Sequence, residues 1–321
     1  MVDIADLFEM FRTPPEPEPD PPGIGAMTGD LAGTFHQSVL SFIAGSDDNS
    51  GRYKDYLRAS GLGDVCGRAE GIMRLHPRLR AGEKRNAGGV LTVDVGHAQH
   101  SWWQNRYLGP MGWLWGEWVC LRCSQAVEDE AGRWGLEPVH TGVMPDRCPN
   151  CGSHRHTGGQ QLIVYNEMRV RDDELRYGGH PDGLLVVPDY PKKILFEFKT
   201  IKTDRYEPLK EPKPEHNDQV HAYMRLTDAD ETIVVYADKD KQCPWRIGSG
   251  RFIPGEARVK VFHVGYDVEV WSNIEARIRD HWRAVAGVSP RKLPRICRTP
   301  SCMRARLCTA REPCFSYPEE A

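Results

Sequence analysis

Two acidic residues and a lysine stand in a pattern that could bind a divalent cation and cleave a phosphodiester. Asp182 follows a glycine-containing turn, and Glu197 and Lys199 lie in an apolar run 15 residues further along the chain. Two carboxylates bind a hard divalent cation, and a nearby ammonium group can orient water and stabilise a developing oxyanion. The pattern therefore predicts metal-dependent phosphodiester chemistry.

Two predicted strands must bring these groups together. Apolar runs predict one strand over residues 184–187 and another over residues 194–198, with a proline-containing turn between them. Side chains alternate between the two faces of a strand, so Glu197 and Lys199 point the same way. If the two strands pair as a hairpin, Asp182 converges with Glu197 beside the lysine.

Three short patterns accompany these groups in a fixed order along the chain. Residues 96–100 read G-x-x-x-H and end at His100, residues 179–182 read G-x-x-D, and residues 219–223 read Q-x-x-x-Y. On a helix, residues four apart share one face, so Gln219 and Tyr223 can reach the same site. The combination resembles the PD-(D/E)XK nuclease superfamily, specifically its RecB-like branch, and the resemblance covers residues 56–315.

The resemblance implies a role for each of these residues. Mg²⁺ or Mn²⁺ would be bound by His100, Asp182, Glu197 and the backbone carbonyl of Phe198, with Lys199 positioning water and Gln219 and Tyr223 holding the lysine or the phosphate. A histidine ligand biases such a site toward Mn²⁺, because imidazole is softer than carboxylate. The implied fold is an α/β, restriction-endonuclease-like mixed sheet flanked by helices.

The implied activity is that of an exonuclease acting on single-stranded DNA ends in recombination or repair and leaving 5′-phosphates. No helicase P-loop is present, so unwinding would fall to a helicase or recombinase partner. A phage or mobile-element setting fits a free-standing nuclease with an inserted ribbon. Two alternatives stay open: a structure-specific endonuclease, and a metal-stapled DNA-binding adaptor with a vestigial nuclease site.

Four of the ten cysteines form two C-x-x-C turns, which predict a zinc ribbon. Each such turn presents two thiolates on one side, and two turns close a tetrahedral zinc site. The alternative is that these are free thiols in a loop. The four predicted zinc ligands are Cys120, Cys123, Cys148 and Cys151.

One early cysteine and four late ones bracket the nuclease motifs, as in the iron–sulfur members of the RecB-like branch, the AddB and CRISPR-associated exonuclease type. A 4Fe–4S cluster takes four thiolates, and the chain offers five. The favoured ligands are Cys66, Cys297, Cys308 and Cys314, with Cys302 as the alternate for Cys297. A second zinc site on the same thiolates is the alternative, since sulfur ligands suit both metals.

The composition of the chain limits which partners and surroundings these sites can have. The net charge of −3 excludes a globally basic DNA binder, so nucleic acid would contact a local groove and the bound metals. No apolar stretch spans a membrane and no signal peptide is visible, which predicts a cytoplasmic protein. We divide the chain into a tail and Pro/acid-rich linker (1–23), the first part of the nuclease domain (24–118), the ribbon insert (119–152), the catalytic core (153–290) and the cysteine-rich C-terminal segment (291–321).

Overall fold

The structure, a computed structural model, describes residues 39–41, 55–80, 87–128, 134–240 and 258–316. The predicted tail and linker of residues 1–23 lie outside these ranges. None of the described helices is both long and apolar enough to cross a membrane. The division into segments stays a prediction.

Strands form one large sheet and several small ones. The described strands are β1 Leu57–Arg58, β2 Leu114–Cys120, β3 Ala126–Glu128, β4 Trp134–Leu136, β5 His140–Val143, β6 His156–Thr157, β7 Gln160–Gln161, β8 Ile163–Asn166, β9 Val170–Asp172, β10 Tyr177–Gly179, β11 Gly183–Leu185, β12 Ile194–Ile201, β13 Glu231–Asp238 and β14 Val259–Gly265. The large sheet has seven strands in the order β14-β13-β12-β11-β2-β5, and β8 also pairs with β2. Parallel and antiparallel pairs both occur, so the sheet is mixed.

Helices flank the large sheet and build the C-terminal lobe. The described α-helices are α1 Gly67–Leu75, α2 Ala87–Trp102, α3 Thr203–Tyr206, α4 Pro214–Thr227, α5 Val268–Val285, α6 Met303–Leu307 and α7 Arg311–Ser316. Short 3-10 helices cover Ala59–Asp64, Pro77–Arg80 and Pro290–Lys292, and a π-helical turn covers Trp103–Leu108.

Strand β12 lies inside the sheet, and its first five residues are buried on both faces. It pairs antiparallel with β11 and parallel with β13. A parallel pair needs a crossover connection, and α4 supplies it between β12 and β13. Helix α4 begins at Pro214, where the missing N–H removes no helical hydrogen bond. It ends at Thr227 and is capped by Asp228, which adopts a left-handed φ of 54°.

Apolar side chains pack on both faces of this sheet. On one face, Leu195 and Val234 pack with Val220 of α4 and Ile278 of α5. On the other face, Phe198 belongs to a second core that includes residues of β2 and the ribbon cysteines. This layered arrangement confirms the predicted α/β fold class.

The predicted hairpin forms, but its bounds differ from the prediction. Strand β11 ends at Leu185 rather than at residue 187, because the chain leaves β12 there for a turn in which Asp189 adopts a left-handed φ of 59°. Strand β12 runs on past Phe198 to Ile201, because its pairing with β13 continues that far. The alternation of side chains correctly predicted that Glu197 and Lys199 share a face. The ends of the strands, however, depend on the strands with which they pair.

A buried arginine ties the two ends of the described chain together. The guanidinium of Arg68 in α1 donates to the carbonyls of Pro290, Leu293 and Cys314 at 3.0, 3.3 and 3.4 Å. Helix α1 also packs against α5 and α7. The region around Cys66 therefore contacts the C-terminal cysteine segment directly.

Candidate active site and thiolate sites

Strands β11 and β12 place the two predicted acids in the interior of the fold. Asp182 directly precedes β11 and is 4 % exposed, and Glu197 in β12 is 1 % exposed. The Asp182 carboxylate accepts a hydrogen bond from the backbone N–H of Phe198 at 2.6 Å. The Lys199 ammonium lies 2.5 Å from Glu197 Oε1. The hairpin thus brings together the acids and the lysine that the sequence pattern singled out.

The imidazole of His100 reaches the same place from α2. Its Nε2 lies 3.2 Å from Asp182 Oδ2 and 2.5 Å from the backbone carbonyl oxygen of Phe198. The ring also packs edge-on against the Phe198 ring, with centroids 5.2 Å apart. Three of the atoms implied as metal ligands, an imidazole nitrogen, a carboxylate oxygen and a backbone carbonyl oxygen, therefore converge.

A third acid, which the sequence patterns did not indicate, belongs to this group. Glu167 follows β8, and its Oε1 lies 3.8 Å from His100 Nδ1. His100, Glu167 and Asp182 each offer a ligand atom within 4.8 Å of those of the other two. Glu197 stands outside that group, because Lys199 and Gln219 engage its carboxylate instead.

Gln104 holds Glu167 and Asp182 in place. Its carboxamide nitrogen donates to Glu167 Oε1 at 3.1 Å and to the Asp182 carbonyl at 2.9 Å, and the side chain is buried. Gln104 lies in the π-helical turn that follows α2. Such turns are rare and often occur at functional sites. The turn directs a buried polar side chain at the site two residues after α2 ends.

Helix α4 closes the other side of the site with one polar face. Gln219 donates to Glu197 Oε1 at 2.8 Å. Tyr223, one turn further on, lies against Gly179, where an added Cβ would come within 2.6 Å of the Tyr223 hydroxyl. Both side chains are buried. The predicted Q-x-x-x-Y face therefore adjoins the acids, and the role of each residue in the chemistry stays a proposal.

The site concentrates negative charge in a buried place. Burial and the neighbouring Glu197 raise the pKa of Asp182 well above its usual value. Burial alone lowers the pKa of His100, but the Asp182 and Glu167 carboxylates outweigh it and raise this pKa to about 9. Burial also opposes the charge on Lys199, yet Glu197 and Asp182 raise its pKa. The raised pKa values of all three groups follow from the carboxylates that crowd this site.

A divalent cation fits this donor set. Glu197 Oε2 is buried and has no hydrogen-bond partner among the described residues. A buried carboxylate oxygen without a donor is costly, and carboxylate and carbonyl oxygens are the ligands that Mg²⁺ and Mn²⁺ take. The unpartnered oxygen, the raised pKa of Asp182 and the imidazole of His100 together fit a bound metal ion.

The four predicted ribbon cysteines converge at the end of β2. Their sulfur atoms all lie within 4.8 Å of one another, with 3.8 Å between Cys120 and Cys151 and 3.4 Å between Cys123 and Cys148. A tetrahedral ion bound by sulfur at about 2.3 Å holds its thiolates about 3.8 Å apart. Ser153 lowers the pKa of the Cys151 thiol to about 6, whereas burial raises the pKa of the Cys120 and Cys123 thiols. The group is therefore shaped for one tetrahedral metal ion.

The second set of cysteines surrounds a cavity of about 440 Å³ between α1 and the C-terminal segment. Its lining includes Cys66, Cys297, Cys308 and Cys314. The alternate, Cys302, is absent from the lining, and its sulfur instead accepts a hydrogen bond from the N–H of Ala305 at the start of α6. Within the described ranges, no three of these five sulfurs lie within 4.8 Å of one another. Their separation is too wide for a single zinc ion in the arrangement that the structure has.

Comparisons with known proteins give distant likenesses. No protein-family model matches the sequence, and no curated protein does either. Among solved structures, SSO0001 has 12 % identity and a TM-score of 0.39, over 86 % of this chain and 94 % of that one. The alkaline exonuclease LHK-Exo from Laribacter hongkongensis has 17 % identity and a TM-score of 0.38, over 73 % and 90 % of the two chains. A phage-related exonuclease from Haemophilus somnus 129PT has 19 % identity and a TM-score of 0.27, over 37 % and 58 %. Likeness this distant leaves the function to be argued from the site itself.

Proposed function

We propose that this protein is a metal-dependent DNA nuclease that hydrolyses phosphodiesters. The observation that supports this most is the convergence of His100, Asp182 and the Phe198 carbonyl beside the buried pair of Glu197 and Lys199. Structural ion pairs also bury acids, but they do not leave a carboxylate oxygen without a partner, as Glu197 Oε2 is here. The arrangement suits cation binding better than it suits fold stability.

His100, Asp182, Glu197 and the Phe198 carbonyl would hold one or two Mg²⁺ or Mn²⁺ ions, with Glu167 as an additional carboxylate. A bound divalent cation supplies a Lewis acid for the phosphate and lowers the pKa of a water ligand. Because Lys199 contacts Glu197 at 2.5 Å, its ammonium is placed to orient the attacking water and to offset phosphate charge. Gln219 fixes the Glu197 carboxylate through its hydrogen bond of 2.8 Å.

The finer reading is an exonuclease that acts on single-stranded DNA ends, with a helicase or recombinase as partner. It rests on the resemblance of the motif order to the RecB-like nucleases. In the same reading, Cys120, Cys123, Cys148 and Cys151 hold Zn²⁺, because their sulfur spacing suits a tetrahedral ion. A 4Fe–4S cluster would take the four cysteines that line the C-terminal cavity, Cys66, Cys297, Cys308 and Cys314.

The test of the activity is digestion of linear and circular single-stranded DNA with Mn²⁺ by the wild type and by Glu197→Gln. We expect loss of the linear substrate alone, abolished by the substitution. Glu231→Gln is the matched control, because Glu231 is a buried acid in the adjacent strand that pairs with Lys192 and His263 instead. Cleavage of the circle would show an endonuclease, and DNA binding without cleavage would favour the adaptor.

A visible spectrum of protein purified without oxygen tests the metal assignment. Iron–sulfur predicts a broad brown band near ~400 nm, with one zinc per chain from the ribbon. A colourless protein that contains two zincs would refute the iron–sulfur assignment and leave the nuclease proposal untouched.

A further inference from the structure

His216 stands beside the catalytic lysine, although none of the sequence motifs includes it. It lies in the first turn of α4, three residues before Gln219 and seven before Tyr223, and so on the same helix face. Below it in the sheet, Tyr236 of β13 is the register partner of Lys199 in β12. The His216 and Tyr236 rings stack with centroids 5.5 Å apart. The helix and the sheet therefore place an imidazole next to Lys199.

The hydrogen bonds around Tyr236 bear on which nitrogen of His216 carries the proton. The Tyr236 hydroxyl oxygen accepts from the backbone N–H of Lys213 at 3.1 Å and lies 2.6 Å from His216 Nδ1. The hydroxyl proton is available to His216 Nδ1, and we assign the hydrogen bond in that direction. His216 Nδ1 is then an acceptor, and the ring proton resides on Nε2.

The Nε2–H group has no hydrogen-bond partner within the part of the chain that the structure describes, although the side chain is half-buried. His216 Nε2 is also not fully buried, so solvent can contact it. A donor that is oriented through the ring and left unused by the protein can serve a ligand.

The charges around His216 favour an anion as that ligand. Burial, then Lys199 and Lys213, lower the pKa of His216 to about 3, so the ring stays neutral at any working pH. The acid in the first turn of α4, Glu215, is exposed. A neutral donor suits a place next to Lys199, because a third cation there would be repelled by the other two.

We infer that His216 binds the DNA backbone, with Nε2–H donating to a non-bridging oxygen of a phosphate held beside Lys199. The inference rests on the proposed nuclease function and adds a substrate-binding residue to it. Tyr236 acts as a positioning residue, since it sets the tautomer of His216 without reaching the phosphate. A neutral imidazole provides this contact with the same strength from acidic to alkaline pH.

The test pairs His216→Phe with oligonucleotides that carry one uncharged methylphosphonate linkage at or next to the cleaved bond. The phenyl ring keeps the stack on Tyr236 and removes both ring nitrogens, the Nε2–H donor and the Nδ1 acceptor of the Tyr236 hydroxyl. On normal DNA we expect kcat/KM to fall by about 10- to 100-fold, the range for a hydrogen bond to a charged group. At the contacted linkage, the effects of the substitution and of the methylphosphonate should not add. Additive effects at every linkage tested would overturn the inference.

Two measurements without catalysis complete the test. The affinity for single-stranded DNA in EDTA should fall with His216→Phe, recover in part with His216→Gln, and stay unchanged with His263→Phe, a histidine on edge strand β14. Nitrogen-15 NMR of histidine-labelled protein should show His216 protonated on Nε2, with a mixed state in Tyr236→Phe. A proton on Nδ1 in the wild type would refute the inference. If Glu197→Gln is fully active, the nuclease proposal fails instead, whatever His216 does.

Discussion

Replacing Gln104 by methionine should loosen the metal site while leaving its ligands intact. Methionine has a similar volume but no amide, so the Asp182 carbonyl and the Glu167 carboxylate each lose a donor. The Asp182 carbonyl bond is buried, and leaving a buried acceptor unpaired costs about 1–3 kcal/mol. The Glu167 side chain is 35 % exposed, so water replaces most of its lost bond. We therefore expect the free energy of unfolding to fall by about 2 kcal/mol.

The assay that separates function from stability is a titration of activity against Mn²⁺. Groups that orient metal ligands change metal affinity by about 10- to 100-fold when removed. We expect the half-saturating Mn²⁺ concentration of Gln104→Met to rise by that amount. Gln161→Met is the matched control, because the Gln161 amide likewise donates two hydrogen bonds, here to the backbone carbonyls of Asn105 and Ile163. Equal Mn²⁺ requirements in the two variants would refute the positioning role of Gln104.

Three further outcomes follow from the described contacts. A hydrogen bond from Lys192, and then other neighbours, lower the pKa of Glu231 to about 2. The ionised Glu231 therefore stabilises the fold above the usual carboxyl pKa range, and this contribution is lost as the pH falls toward 2. The difference in melting temperature between the wild type and Glu231→Gln should shrink over the same pH interval. Cys148→Ser should remove one zinc per chain, measured by elemental analysis, without changing the visible spectrum. Cys297→Ala should abolish the absorbance near ~400 nm, whereas Cys302→Ala should retain it, and the reverse result would exchange the two ligands.

The alternation of side chains along a strand and the order of the motifs were enough to predict that Asp182, Glu197 and Lys199 lie together. Strand β12 is a run of buried residues bounded by turns, so its faces could be assigned without knowing its neighbours. The fold class came from the resemblance of the motif order to a nuclease superfamily, and a buried strand with partners on both edges agrees with it. The lengths of β11 and β12 did not follow, since they depend on β2 and β13.

The positions of Glu167 and Gln104 could not be predicted from the sequence, for a physical reason. Glu167 follows a four-residue strand and has no motif partner nearby, so only the pairing of β8 with β2 brings it to His100. Gln104 reaches the site through a π-helical turn, which has no sequence signature of its own. The residues after Trp102 gave no signal of their own, because only the structure shows that Gln104 and Asn105 are buried there.

The pairing of Arg68 with the C-terminus has a consequence for biosynthesis. Its guanidinium is buried, and its acceptors lie 222 to 246 residues later in the chain. A ribosome delivers the charged side chain long before the carbonyls that accept its hydrogen bonds, so α1 cannot settle against them until residues 290–314 have been synthesised. Chains that stop before residue 290 lack these three acceptors and leave this lobe open to proteolysis. The arginine thereby makes synthesis of residues 290–314 a condition for closing the lobe that holds Cys66.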